Sequence, residues 1–208
     1  LFLNNDTEAI ESGWLDVMVG WTKRESIGVV GAKLLYPDQR IQHAGVILSM
    51  SGHADHVYLG MYENSFGVFG SSEWVRNYLA VTGALQMMKR QVFEELGGFD
   101  EHYTLCFSDV ELCLRAYEQG YRNLYLPFVR FYHHEGASRG GHIPQTDVLL
   151  ATKHFAHYIT HGDPYFSPNL SYASRQPQLA QRTDMSRVQQ IEKVLHAFQL
   201  SHVNSLLV

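Results

Sequence analysis

At 208 residues, 45% of them hydrophobic and 18% charged, the chain is long enough for one domain with a sizeable core and a small appendage. A formal net charge of -5 gives no broad electrostatic face for nucleic acid, which needs clustered Lys and Arg, so nucleic acid is not an expected partner. No run approaches the roughly 18 apolar residues of a spanning helix and no charged-then-apolar leader opens the sequence, so the expectation is a soluble, cytoplasmic protein.

In chain order, Leu1-Phe2-Leu3-Asn4-Asn5-Asp6-Thr7-Glu8 passes at once from apolar to amide and carboxylate side chains. It reads as the end of a strand that delivers Asp6 to the crevice beyond an open α/β sheet. Mostly apolar residues at helical spacing from Gly13 to Trp21, with Lys23 and Arg24 after them, predict a helix. Ile27 to Tyr36 and Ile41 to Leu48 are β-branched and apolar on either side of Pro37-Asp38, which predicts a strand pair. Residues 49–74 are rich in Gly, Ser, His and aromatics without a period, and predict a long surface loop. Leu79 to Met88 reads as a buried strand, followed by a short helix over Arg90 to Leu96 that Gly97-Gly98 stops.

Ser108 and Glu111 stand at capping-box spacing, so Asp109 is expected at the start of a helix over Val110 to Gln119 that Gly120 closes. Cys106 and Cys113 fall on what reads as that helix, about 10 Å apart and therefore unbridged. Tyr121 to Tyr132 predicts a strand that runs into His133-His134. Beyond it, helices are predicted over Thr146 to Thr160 and Ser186 to Leu200. The second carries an apolar stripe of Val188, Ile191, Val194, Leu195 and Phe198, which docks on the domain or on a second copy.

Asp6, Asp109 and His133-His134 come from separate loops, as the residues of a catalytic crevice do. A carboxylate with an imidazole suits Mn²⁺ or Mg²⁺ when water and substrate phosphate complete the coordination. Each residue also has a plainer reading. Asp6 suits a turn or N-cap, Asp109 the first turn of a helix, and either histidine a satisfied side chain. Neighbours on a strand point to opposite faces, so one of His133 and His134 at most is a ligand. The cluster His53-Ala54-Asp55-His56 and the helical set His154, His157 and His161 read more simply as loop and surface residues than as metal sites.

Taken in order, LFLNNDTE, GVVGAKLLYPDQRIQHAGVIL, VTGALQMMKRQVFEELGGFDEHY, FSDVELCLRAYEQGYRNLYLP and YHHEGASRG resemble the second half of a family-two nucleotide-sugar glycosyltransferase of the GT-A fold. The resemblance covers residues 1–141, and Gly162 to Ser171 is similar to a segment near the end of bacterial members. It implies an α/β fold, a partial GT-A (Rossmann-like) mixed sheet flanked by helices. Residues 1–141 would form the metal and acceptor side and residues 142–208 a largely helical extension.

By the same resemblance, Asn4-Asn5-Asp6 stands at the metal motif, with Asp6 as ligand and Asn4 in place of the motif's first acid. Ser108-Asp109 matches the pair that holds the catalytic base, which makes Asp109 the base. His133 matches the histidine that completes the metal site, with His134 as the other register. Thr82, Gly83 and Ala84 would line the donor sugar and acceptor, Asp100 and Glu101 the acceptor side, and Arg139 could touch phosphate.

The implied reaction is inverting transfer from a nucleotide-diphosphate sugar to a glycan or lipid-linked acceptor, with Mn²⁺ or Mg²⁺, in cell-surface polysaccharide assembly. Membrane association would be peripheral, through the substrate at the cytoplasmic face. Family members begin with a strand-helix half that recognises the nucleotide base, and its absence here reads as a truncated enzyme or one completed by another copy. The sheet edge left bare would invite a homodimer. A non-catalytic glycan-binding remnant and a metal-dependent hydrolase are the competing readings.

Overall fold

The computed structural model describes residues 1–134 and 143–200. The chain opens with β1 (Phe2–Leu3), β2 (Thr7–Ala9), α1 (Trp14–Thr22), β3 (Ile27–Leu35), β4 (Ile41–His43), β5 (Val46–Leu48) and β6 (Ala54–His56). It continues with β7 (Phe66–Gly67), β8 (Gly70–Ser71), β9 (Arg76–Tyr78), β10 (Leu85–Met88), α2 (Arg90–Glu95), α3 (Ser108–Glu118) and β11 (Arg122–His133). Helices α4 (Gln145–His154), α5 (Ala156–His161) and α6 (Arg187–Ala197) follow.

The main sheet has the order β1-β10-β3-β11-β2, with β4 paired to β3 and β9 to β11. Only the β3–β11 pairing is parallel, so this is the mixed, helix-flanked sheet that the sequence predicts. All of β3 is buried, as befits a central strand covered on both faces. Val30, Ala32 and Leu34 pack with Met18 of α1, while the flanking Val29 and Leu35 join the larger cluster on the opposite side. That cluster takes Leu112 and Ala116 from α3 and also Val148, Ala151, Ile191 and Leu195 from the C-terminal helices. The helical extension therefore shares its core with the sheet. Among the described residues, no helix is long and apolar enough to cross a membrane.

Several predicted elements need correction. Residues 49–74 are not a surface loop: Met50, Val57 and Tyr58 are buried, β6 pairs with β5, and β7 pairs with β8. Tight turns with positive φ at Ser49 (68°), Gly52 (110°) and Tyr58 (66°) fold the segment back on the core without a period that a sequence would show. Leu79 to Met88 is not one strand, since pairing to β3 begins only near Leu85 and residues 79–84 cross the sheet face. Helix α3 begins at Ser108 because Phe107 turns left-handed (φ 69°). Ser108 makes no cap bond, and Glu111 binds Arg115 at 2.6 Å instead of closing a capping box. Cys106 precedes the helix, and it forms no disulfide with Cys113. The predicted helix over 146–160 breaks at Phe155 into α4 and α5. The capping box that forms is at Ser186 and Gln189, where it starts α6.

Residues 79–84 lie against the sheet because Gly31 lets them. A Cβ at Gly31 would stand 2.5 Å from Val81 Cβ, in the middle of β3 where the backbone cannot yield. Gly31→Ala is expected to destabilise the fold by about 1–3 kcal/mol through overpacking, read as a lower urea midpoint at unchanged slope.

Candidate active site

Strands β1 and β3 are both antiparallel to β10, and β3 is parallel to β11, so β1, β3 and β11 run the same way. Their carboxyl ends therefore open on one side, where Asn4, Tyr36 and His133 line a cleft of about 900 Å³. Thr82, Gly83 and Ala84 enter just before antiparallel β10, and Ser108 and Asp109 enter at the start of α3.

His133 is buried, and its Nδ1 lies 2.6 Å from Gln42 Oε1. An amide oxygen can only accept, so Nδ1 donates, and in the neutral ring Nε2 keeps a lone pair. That lone pair meets Asp6 Oδ1 at 3.2 Å and Asn4 Nδ2 at 3.4 Å. Asp6 Oδ1 is buried and makes no hydrogen bond among the described residues. Two lone-pair atoms set against each other repel unless a proton or a cation lies between them. A carboxylate oxygen and an imidazole whose far nitrogen is fixed by an acceptor are groups that could hold a divalent metal. The carbonyl of Asp6 accepts from His134 N at 2.9 Å, so the two loop ends are tied together. The His134 ring turns away, toward exposed Glu8 at 3.6 Å.

Asp109 is held by backbone. Its Oδ2 accepts from Gly83 N at 2.6 Å and its Oδ1 from Val110 N at 2.9 Å, which leaves each oxygen a further lone pair for the cleft. Thr82 N, one residue earlier, donates to His43 Nε2 at 3.4 Å, and His43 Nδ1 lies 2.9 Å from His56 Nδ1. The loop before α3 is fixed from the C-terminal helices. Asp147 of α4 accepts from Thr104 N at 2.9 Å, Leu105 N at 2.8 Å and Cys106 N at 2.7 Å. Burial alone would raise its carboxyl, but the bonds from Cys106, Thr104 and Leu105 outweigh it and hold the group below its ordinary value.

Other predicted residues stand apart from this arrangement. Asn5 and Glu101 are exposed, and neither lines the cleft. Asp100 binds His102 at 2.6 Å and gathers with Glu111 and His154. Glu111 is already matched by Arg115, so that trio is charge-paired from within. Arg139 lies outside the described residues. His53, Asp55 and His56 part company, to Thr152, Arg175 and His43 respectively. Sequence reasoning passed over Gln42, His43, Asp147 and Arg175. For Gln42 and His43 a signal existed, two polar residues inside an apolar strand.

No protein-family model matches the chain. Over 174 residues, 82% of its length, it is 44% identical to part of the O-antigen biosynthesis protein RfbC of Myxococcus xanthus. A stretch of 177 residues is 40% identical to an uncharacterized protein of Sinorhizobium fredii. The chain spans only 14% and 19% of those two relatives. An 82-residue stretch is 30% identical to an N-acetylglucosaminyl-diphospho-decaprenol L-rhamnosyltransferase of Mycobacterium tuberculosis, covering 36% of this chain and 27% of that protein. These relatives suggest a glycosyltransferase-like family. One is named for O-antigen biosynthesis and another as an L-rhamnosyltransferase, and the mixed α/β fold is consistent with a Rossmann-like glycosyltransferase domain.

Burial first, then the neighbouring His56 and His133, hold His43 well below the ordinary imidazole value, and burial lowers His53 to about 4. The folded state keeps both neutral while the unfolded chain takes up protons below about pH 6.5. Their contribution to stability is therefore complete above that pH and lost as pH falls toward the folded values. Asp163 acts in the opposite sense, because burial raises its carboxyl to about 6 and the folded state protonates first. With two imidazoles against one carboxyl, the thermal midpoint is expected to fall between about pH 7.5 and about pH 5, checked by calorimetry.

Proposed function

We propose that the chain forms the metal and acceptor side of an inverting glycosyltransferase site of GT-A type. The reaction would carry a sugar from a nucleotide-diphosphate sugar to a glycan or lipid-linked acceptor in cell-surface polysaccharide assembly. The observation that carries this reading is one cleft lined by both Asp109 and His133, with Asp6 Oδ1, which makes no hydrogen bond among the described residues, buried 3.2 Å from His133 Nε2.

Asp6 and His133 would hold Mn²⁺ or Mg²⁺, which when bound neutralises charge on a diphosphate leaving group. Asn4 supports that end, because its amide N–H is tied to Ala84 O at 2.9 Å while its side chain faces His133. Asp109 takes the proton of an acceptor hydroxyl as the oxygen attacks the anomeric carbon on the face opposite the leaving group, which inverts that centre. The Gly83 and Val110 amides orient the carboxylate for this, and Thr82, Gly83 and Ala84 line the space where the sugar would lie. The names of two relatives, one for O-antigen biosynthesis and one for L-rhamnosyl transfer, support the reading.

Calorimetry of this chain with Mn²⁺, followed by a panel of nucleoside-diphosphate sugars, tests it. Heat from Mn²⁺ is expected and is lost in Asp6→Ala and His133→Ala; silence from every donor sugar excludes turnover by this chain. In a transfer assay Asp109→Asn is expected to lower kcat by about 10²-fold or more with the donor affinity kept. Release of free sugar without any acceptor would point to a hydrolase. Gly83→Ala is a finer probe, since its Cβ would stand 3.0 Å from Asp109 Cβ and 3.3 Å from Oδ2. It is expected to displace the carboxylate and to lower kcat while far-UV circular dichroism stays unchanged.

A further inference from the structure

The excursion around β7 and β8 turns its apolar side chains outward. Tyr62, Phe66, Val68, Trp74 and Val75 are all exposed among the described residues, Phe66 at 72% and Tyr62 at 69%. The chain folds them there on purpose-built turns. A positive φ at Gly70 (90°) bends the hairpin, and a Cβ at that position would stand 2.5 Å from Trp74 Cζ3, so the indole lies close against the turn. Phe66 stands edge-on to Trp74, with ring centroids 6.0 Å apart and planes at 78°. Phe69, between them in the hairpin, points the other way and packs against Tyr58, Tyr78 and Phe166.

Charge on the excursion is directed to the sheet. Residues 59–75 contain two charged side chains, Glu63 and Glu73, which bind Arg130 and Lys33. The cations at its base lie on aromatic faces: Arg76 over Phe69 at 4.2 Å and over Trp74 at 5.4 Å, and Arg40, which Asp38 shares at 3.7 Å, over Tyr62 at 4.9 Å. The excursion begins at the rim of the cleft, since Leu59 lines the cleft and Tyr62 bridges to Arg40 in the turn between β3 and β4.

We propose that this tip is a membrane contact, in which Phe66, Val68 and Trp74 enter the headgroup region of a phospholipid bilayer beside the mouth of the cleft. Indole, phenol and phenyl rings favour that region, where one end of the side chain is apolar and the other wet. Both carboxylates are matched from within, so no unpaired negative charge on the tip faces lipid phosphate, and the two guanidiniums at its base stand on the side where phosphates would lie. A sugar fits the surface less well. Phe66 and Trp74 meet edge to face and so present no common flat platform, and the serines are occupied by the excursion's own backbone: Ser65 and Ser72 Oγ donate to the Tyr62 and Glu63 carbonyls, each at 2.6 Å, and Ser71 Oγ accepts from Glu73 N at 3.0 Å. A protein partner also fits less well, because five side chains fall far short of the roughly 20–30 residues a side of a standard interface. The formal net charge of -5 makes this an apolar insertion rather than an electrostatic attraction.

Co-sedimentation of the whole chain with vesicles of phosphatidylethanolamine and phosphatidylglycerol, in EDTA and without nucleotide sugar, tests the contact. Binding is expected, and it is expected to persist in high salt. Phe66→Ala and Trp74→Ala are each expected to weaken it about tenfold, the worth of one large apolar side chain, and Val68→Asp to abolish it. These side chains are exposed, so the variants keep the fold, which an unchanged thermal midpoint checks. Trp14 and Trp21 are partly buried, so Trp74 is expected to report insertion by a blue shift of fluorescence and by quenching with brominated lipid, both lost in Trp74→Phe. Absence of vesicle binding, equal binding by every variant, or binding that vanishes in high salt would overturn the proposal. So would a Trp74 blue shift that follows protein concentration or a soluble polysaccharide and not vesicles, which would give the tip to a second copy or to a glycan. With metal and donor left out, each of these outcomes is independent of the Mn²⁺ heat that tests the transferase reading.

Discussion

The geometry of the cleft depends on the parallel pairing of β3 with β11. Parallel strands send their carboxyl ends to one side, and they are stable in proteins when both faces are covered. Here α1 covers one face, and α3 with the C-terminal helices covers the other. The pairing is not regular along its length. It steps from Leu126↔Ala32 to Arg130↔Lys33, and Pro127, which has no N–H to give a ladder, sits inside that step. Beyond the step β11 resumes its register with Leu34 and Leu35, and so brings His133 beside the loop that carries Asp6.

The step sets Arg130 directly across from Lys33, a like-charge pair that would repel if left alone. Lys33 is fully buried, with its ammonium bound to Glu73 and to the carbonyl of Glu63, while Arg130 binds both Glu63 and Glu11. These carboxylates come from the loop after β2 and from the excursion around β7 and β8. These charges hold that excursion to the sheet together with the Phe69 ring, which meets Tyr58, Tyr78 and Phe166, while Tyr62, Phe66 and Trp74 remain exposed on it. Lys33 alone of this set is fully buried, so the half-exposed pairs add little net stability, while loss of Glu73 would leave a buried ammonium without its carboxylate. The effect of the set is to specify where the excursion lies.

The sequence showed long elements and isolated chemistry better than it showed connections. Ile27 to Leu35, α3 and β11 were readable because apolar residues recur there with a clear period, and Asp109 was readable as an acid in a helix's first turn. The 49–74 segment was not, because its folding back rests on single residues with positive φ and on charges from distant strands. The capping box at Ser108 failed for a nearer reason: Arg115, one turn on, offers Glu111 a bidentate partner that a backbone amide cannot match. Of the two adjacent histidines, alternation along β11 allowed one inward ring, but which one depended on Gln42, far off in the chain. The relay from Thr82 through His43 to His56 was out of reach for the same reason, since no local pattern reports a contact between loops.

Asp147 gives the tail a history tied to the sheet. A transplanted helix lacking a carboxylate at that position would leave the amides of residues 104–106 without their acceptor and loosen the lip from which α3 departs. Exchange of tails between relatives is thus penalised at a place far from any substrate. Sheet and extension are thus coupled at this point, and a change in the first turn of α4 would be felt in a loop some forty residues upstream.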